Sequence, residues 1–242
     1  MSNPIISVIT TCYNSGQYLE DTLSSILNQN NQNFELIIVD AGSTDDTNNI
    51  LKKYNMDLRV KVFISQGISF YDGLILACEK TIGKYLMCMP ITDQYNSMDW
   101  FTVCEEILNS NENISLVHGI SIHNDNNDSK FYGSATREHC PSEKDFLPFW
   151  LATFYAYSEH TFCIRKSVYK ECLKPSNLFE VEEYNKKFEN EIKSGKKDSF
   201  NQFLILTYNF NRLGYLSKFV PIISGLVRVH KNSNSEFFFE SN

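Results

Sequence analysis

The chain has 242 residues, 42% of them hydrophobic and 21% charged, which is ordinary globular usage and excludes a disordered, collagenous or fibrous protein. That length suits one α/β domain or two small ones, and compact folding at this size buries roughly three quarters of the unfolded surface, so a core forms without disulfides. A formal net charge of −7 lacks the basic stripe that nucleic-acid binding needs.

The first hundred residues alternate strand and helix. Ile5 to Thr11 is a β-branched apolar run, read as a buried strand. Residues 12–16 (CYNSG) form a turn, and Tyr18, Leu19, Leu23, Ile26 and Leu27 then recur at helical spacing. Glu35 to Val39 (ELIIV) is a second buried strand, ending at Asp40. The loop AGSTDD follows, and Ser43 with Asp46 predicts a capping-box start for a helix reaching Tyr54. Arg59 to Ile64 is a third strand, Phe70 to Lys80 a helix, and Tyr85 to Met89 a fourth strand closed by Pro90.

The second half is less regular. Trp100 to Asn109 reads as a helix, Ile114 to Ile122 as a strand, and His123 to Ser129 as a polar turn. Glu143 to Tyr157 is aromatic-rich and reads as a lid, an acceptor loop or an ordinary core segment. Thr161 to Tyr169 predicts a strand leading into a helix, and Phe179 to Lys193 a solvated helix. Phe200 to Leu213 reads as an apolar helix, Lys218 to His230 as a strand, and residues 231–242 as a loose tail. No repeat or long linker divides the chain, so residues 1–242 are read as a single domain.

The seven cysteines are an odd number with no C-x-x-C, which gives no support to a zinc or thioredoxin-like site and points to reduced thiols. The N-terminus lacks a charged segment followed by a long apolar run, and no stretch approaches ~18 apolar residues, so the expectation is a cytoplasmic protein without a membrane span.

Four strands separated by helices imply βαβ units and a parallel sheet. Ligands then sit at the carboxyl ends of the strands, which places Thr11 to Asn14, Asp40 to Ser43 and Pro90 to Gln94 at one edge. Neither G-x-G-x-x-G nor G-x-x-x-x-G-K-[ST] occurs, which disfavours a dinucleotide fold and a P-loop. Asn, Asp, Ser and Thr at that edge suit a base and ribose better than a bare triphosphate.

The segments SVITTCYNSGQYLEDTLSSILNQ, ELIIVDAGSTDDT and FYDGLILACEKTIGKYLMCM together resemble the inverting glycosyltransferases of family 2. TFCIRKSVY and RVHKNS are weaker matches. The resemblance implies a GT-A fold, a Rossmann-like and mostly parallel sheet flanked by helices. Residues 1–95 would bind the nucleotide, and 96–230 would form a smaller, irregular acceptor-side half. It implies a nucleotide diphosphate sugar as donor, with transfer to an acceptor hydroxyl in bacterial surface polysaccharide or lipopolysaccharide synthesis. Asp40 matches the carboxylate that accepts from the base, and Asp72 a residue near base and ribose with helix capping as its alternative. Thr11, Asn14 and Ser43 are candidate nucleotide contacts or, equally, turn residues.

After the fourth strand the family carries D-x-D, whereas this chain has Pro90-Ile91-Thr92-Asp93-Gln94. Asp93 takes the place of the last acidic residue, and Thr92 beside it joins the donor-binding set. Carboxylates suit Mg²⁺ or Mn²⁺ because hard cations take oxygen ligands, and such an ion neutralises the leaving diphosphate. His230 is a candidate further ligand, and Arg228 and Arg165 are candidate phosphate contacts. The shortened motif leaves a metal-independent or non-catalytic relative as the alternative. Inversion needs a base for the acceptor hydroxyl. The resemblance puts an Asp at the start of a late helix, here Asp198, with Glu159 and Glu182 as alternatives. Implied partners are the nucleotide sugar and a glycan or lipid-linked acceptor. Peripheral contact with the inner membrane face through Lys186, Lys187, Lys193, Lys196 and Lys197, and a homo-oligomer or membrane contact through Phe237-Phe238-Phe239, complete the expectations.

Overall fold

The computed structural model describes residues 3–124, 129–132, 161–173 and 197–228. In chain order they form β1 (Ile6–Cys12), α1 (Gly16–Leu27), β2 (Phe34–Asp40), α2 (Thr47–Tyr54) and β3 (Val60–Ile64). Then come α3 (Phe70–Lys80), β4 (Tyr85–Cys88), β5 (Gln94–Tyr95), α4 (Trp100–Ser110), β6 (Ile114–Asn124) and β7 (Ser129–Tyr132). The last four are β8 (Phe162–Arg165), α5 (Lys166–Cys172), α6 (Lys197–Arg212) and β9 (Leu216–Arg228).

One sheet runs in the order β3-β2-β1-β4-β8-β6-β9-β5, with β7 on β6. Strands β1 to β4 are parallel, β8 is antiparallel to both its neighbours, and β9 is parallel to β6. Strands β1 and β2 are buried along their whole length. Burial on both faces explains why they read as continuous apolar runs rather than alternating ones.

The alternation of side chains still sorts the core into two layers. On one face Ile6, Val8, Leu36 and Ile38 meet Leu19, Leu23 and Ile26 of α1 and Trp100 and Phe101 of α4. On the other, Ile9, Ile37 and Val39 meet Tyr71, Leu74 and Ala77 of α3, Val168 and Tyr169 of α5, and Leu206 and Phe210 of α6. Six cysteines (Cys12, Cys78, Cys88, Cys104, Cys163 and Cys172) are free thiols inside these layers, as small hydrophobes.

At the amino edge of the sheet the buried Glu35 carboxylate accepts from Ser7 Oγ (2.7 Å), the Ile82 N–H (2.6 Å) and Lys61 Nζ (2.8 Å). Burial raises its pKa, but these donors outweigh burial and hold it below the usual carboxylate range.

The differences from expectation are local. Helix α2 begins at Thr47 after Asp46, so Ser43 does not cap it. Strand β6 runs on to Asn124, where a polar turn was expected. The two-residue β5 is too short to show a pattern, and β7 (SKFY) lacks an apolar run. Glu143 to Tyr157, Phe179 to Lys193 and residues 229–242 lie outside the described residues.

Candidate functional site

The carboxyl ends of β1, β2 and β3 lie level, and β4 stops short of them at the height of Ile9. Cys12 of β1 pairs with Asp40 of β2, Asp40 pairs with Ile64 of β3, and the Met89 N–H after β4 donates to Ile9 of β1 (3.0 Å). The loop carrying Asp93 therefore leaves the sheet at the edge that holds Asp40, two strands over in the order β2-β1-β4, and brings Asp93 to β5, which pairs with β9.

Asp40 organises the first part of this edge. Its carboxylate is fully buried. It accepts from Ser43 Oγ at 2.5 Å, from the Ser43 N–H at 3.1 and 3.2 Å, and from the Cys12 thiol at 3.6 Å. Burial and the adjacent carboxylate push the Cys12 thiol well above its usual range, so it stays protonated and donates. All of these donors come from the end of β1 and the loop that follows β2. Ser43 passes the order on, because its Oγ also accepts from the Asn14 N–H (2.9 Å). Asn14 adopts a positive φ of 48°, tolerated best by Asn and Gly, and its Oδ1 accepts from the Thr44 N–H (2.8 Å). Asp45 then receives the Gly16 N–H (3.0 Å) and the Thr47 N–H (3.0 Å), joining the starts of α1 and α2. The two loops are thus one hydrogen-bonded unit.

Thr11, at the end of β1, packs on α3. A Cβ at Gly73 would run into its Cγ2. Ser69 caps α3 with Asp72 as its partner: Ser69 Oγ accepts from the Asp72 N–H (3.2 Å) and donates to its Oδ2 (2.7 Å). Asp72 remains exposed at the amino end of α3. Tyr13, absent from the expected contacts, stands 60% exposed between Cys12 and Asn14. A bulky aromatic in the turn directly after a fully buried strand was the available signal.

Across the edge, Asp93 is 4% exposed. Its Oδ1 accepts from the Arg228 N–H (3.2 Å) and from Thr92 Oγ1 (3.2 Å). Burial pushes its carboxyl up to about 7, against the pull of those two donors. The Arg228 guanidinium, expected on phosphate, reaches Asp21 Oδ2 (3.1 Å) and lies 4.8 Å from the centre of the Tyr18 ring. It is the Arg228 backbone that meets Asp93. Among the described residues no three His, Cys, Asp or Glu side chains gather into a metal-binding group. The oxygen donors of Asp93 and Thr92 nevertheless fit a hard divalent cation that takes its remaining ligands from phosphate and water.

One expectation is corrected outright. Arg165 does not face the site, because β8 pairs Arg165 with Tyr85 at the amino edge of the sheet, opposite Asp93. Its guanidinium donates to the carbonyls of Leu108 (2.6 Å), Ile114 (2.9 Å) and Asn111 (3.1 Å), so it ties α4 to β6. Asp198 is the second residue of α6, which packs on α3 and α5, but its side chain lies outside the described residues. His230, Glu159, Glu182, Lys186, Lys187, Lys193, Lys196 and Phe237-Phe238-Phe239 lie outside them altogether. No helix among the described residues is long and apolar enough to cross a membrane.

Comparison with known proteins adds three findings. Residues 7–173, well over half of the chain, match the family model described as Glycosyl transferase family 2. A putative teichuronic acid biosynthesis glycosyltransferase, TuaG of Bacillus subtilis, is 36% identical over 94 residues, which span 38% of this chain and 37% of TuaG. Among solved structures, S. aureus TarS 1–349 in complex with UDP-GlcNAc superposes with a TM-score of 0.68 at 18% identity, over 96% of this chain and 60% of that one. The mannosyltransferase PcManGT of Pyrobaculum calidifontis, in complex with GDP-Man and Mn2+, gives 0.66 at 13% identity, over 98% and 60%. The chain thus spans 60% or less of each of these proteins, and the two structures share its GT-A architecture.

Proposed function

The chain belongs to glycosyltransferase family 2, and from that premise we propose that it moves a sugar from a nucleoside diphosphate sugar to an acceptor hydroxyl with inversion, in the synthesis of a bacterial surface polysaccharide. The observation that carries this reading is the shared edge. A loop unit built on Asp40, Ser43 and Asn14 opens on the same edge of the sheet from which the β4–β5 loop carrying Asp93 departs, and the exposed Tyr13 stands on the Asp40 unit. The relative in teichuronic acid biosynthesis, and the structural neighbours with bound UDP-GlcNAc and GDP-Man, support the choice of donor and product.

In this reading the Tyr13 ring stacks on the base, which lies along the backbone of residues 40–44. Asp40 acts through Ser43, fixing the loop rather than touching the base. Asp72, exposed at the start of α3, faces the ribose. Asp93 and Thr92, with His230, would hold Mg²⁺ or Mn²⁺. Such an ion supplies Lewis-acid neutralisation of the diphosphate. Arg228 lies beside it, and its exposed pairing with Asp21 is weak enough to exchange for phosphate. A sugar hydroxyl is a poor nucleophile at neutral pH, so a carboxylate must take its proton as the new bond forms. Asp198, opening α6, is assigned that task.

Nucleotide release from a panel of UDP- and GDP-sugars with Mn²⁺ and glycan acceptors tests the proposal. The intact chain should release nucleotide, and Asp93→Ala should lower the rate about 100-fold or more, since metal-borne charge neutralisation is worth several kcal/mol. Nucleotide-sugar binding without turnover under any condition would instead mark a non-catalytic relative.

A further inference from the structure

Helix α1 carries Thr22 and Ser25 on one side, and with Gln29, two residues past its end, they form a row of polar side chains. Each is spent on the backbone of the segment after β4. Gln29 Nε2 donates to the Ser97 carbonyl (2.8 Å), and its Oε1 accepts from the Phe101 N–H (3.3 Å). Ser25 Oγ accepts from the Tyr95 N–H (3.1 Å). Thr22 is fully buried, and its Oγ1 lies 2.7 Å from the Ile91 carbonyl and 2.8 Å from that of Asp93. Its own helical carbonyl, Tyr18, is farther away at 3.3 Å.

A threonine inside a helix ordinarily bonds back to the carbonyl four residues earlier. Here the two carbonyls of the 91–93 turn are nearer. A hydroxyl has one proton to give, so both ends of the turn converge on a single donor, and the turn is drawn onto α1 at that point. The Asp93 N–H closes the same turn onto Pro90 (3.0 Å). The Arg228 N–H fixes the Asp93 carboxylate from β9, while Asp21, next to Thr22 on α1, takes the Arg228 guanidinium. Asp93 is therefore located from α1 twice, once through its carbonyl and once through Arg228. Ser25 and Gln29 act farther along, on residues 95–101. Thr22 alone of the row bonds to Asp93 itself.

We propose that Thr22 is a positioning residue of the donor site, its buried hydroxyl setting where Asp93 stands for the ion that accompanies a nucleoside diphosphate. This rests on the donor-site reading above and adds a residue that never touches substrate. A purely structural Thr22 would change stability alone. A positioning Thr22 changes the coupling between Mn²⁺ and nucleotide. Valine matches threonine in shape and lacks the hydroxyl, serine keeps the hydroxyl, and Ser25→Ala breaks a neighbouring bond of the same row without reaching Asp93.

The test is calorimetric titration of UDP and GDP, each with and without Mn²⁺, alongside the thermal midpoint of every variant. The intact chain should bind one of them more tightly with Mn²⁺. Thr22→Val should lose about tenfold or more of that enhancement, the scale seen when partners orienting a metal ligand are removed, and keep its Mn²⁺-free affinity. Thr22→Ser should restore the enhancement, and Ser25→Ala should lower the midpoint while retaining it. Should Thr22→Val not fold, Thr22→Cys, with a weaker donor of similar size, should show a partial loss of the same kind. Full enhancement in Thr22→Val or Thr22→Cys, or a loss shared by Ser25→Ala in proportion to its midpoint, overturns the assignment. An intact chain that binds neither nucleotide under either condition overturns the donor-site reading itself, and one that binds without Mn²⁺ enhancement overturns the role of Thr22 alone.

Discussion

Replacing Ser43 with alanine should do more damage than its small size suggests. The hydroxyl donates at 2.5 Å to a fully buried carboxylate and accepts the Asn14 N–H at 2.9 Å. A hydrogen bond to a charged group is worth about 1.5–3 kcal/mol, and an ordinary one about 1 kcal/mol. Some of this is recovered, because the Ser43 N–H still reaches both Asp40 oxygens and water can serve the exposed Asn14. A net loss of about 2–3 kcal/mol follows, which is a roughly 30- to 150-fold shift toward the unfolded state, since 1.4 kcal/mol is a factor of ten. For a chain of this size that lowers Tm by about 4–12 °C. Urea unfolding followed by circular dichroism reads the stability, and titration with UDP and GDP reads the loop. Nucleotide affinity should fall with stability, because the Asn14 turn and the Asp40 loop lose their shared anchor. Stability within ~0.5 kcal/mol of the parent and unchanged affinity would refute the reasoning, since a surface serine changes stability by no more than that.

Two further outcomes follow from the packing and the charges. Gly73→Ala should fail to deliver the ~1 kcal/mol that alanine ordinarily gains over glycine in a helix, because the added methyl meets Thr11, and overpacking costs about 1–3 kcal/mol. Adding Thr11→Ser removes the opposing methyl and should recover stability in a double-mutant cycle by urea unfolding, whereas additive effects would contradict the contact. Glu35 has a folded pKa below its unfolded value, so the stability it contributes is present above the unfolded pKa and lost as pH falls through the folded one. Glu35→Gln should therefore flatten the decline in stability on acidification below about pH 5, and an acid limb identical to that of the parent would show that Glu35 contributes nothing to it.

Most of the parallel half was legible because β1, β2 and β4 are buried on both faces and therefore announce themselves as continuous apolar runs such as ELIIV and YLMCM, with turn residues at each end. Strand β5 carries no such signal, since two residues cannot show a period, and β7 (SKFY) is too polar to read as an apolar run. The sheet edge on which the candidate residues fall was legible by position. Thr11, Asn14, Ser43 and Asp93 do share the carboxyl edge, because strand ends in a parallel sheet fix where loops emerge. Which way each side chain turns was not legible. Asp40 and Asp93 look alike in sequence as acids at that edge. One is wrapped by its own loop's serine, and the other is buried between Thr92 and a backbone N–H 135 residues away. Arg165 was misplaced because antiparallel β8 reverses direction within the sheet, so a residue near its end returns to the amino edge. Thr22 drew no notice because a single hydroxyl in a helix carries no pattern until the turn it grips is in view.

A crystal structure of the chain grown with UDP or GDP and Mn²⁺ confronts the central claim most directly. It should show the base against Tyr13 and the 40–44 backbone, and the two phosphates extending across β1 toward an ion on Asp93. A nucleotide seated elsewhere on the molecule, or no nucleotide at this edge at saturating concentration, would contradict it.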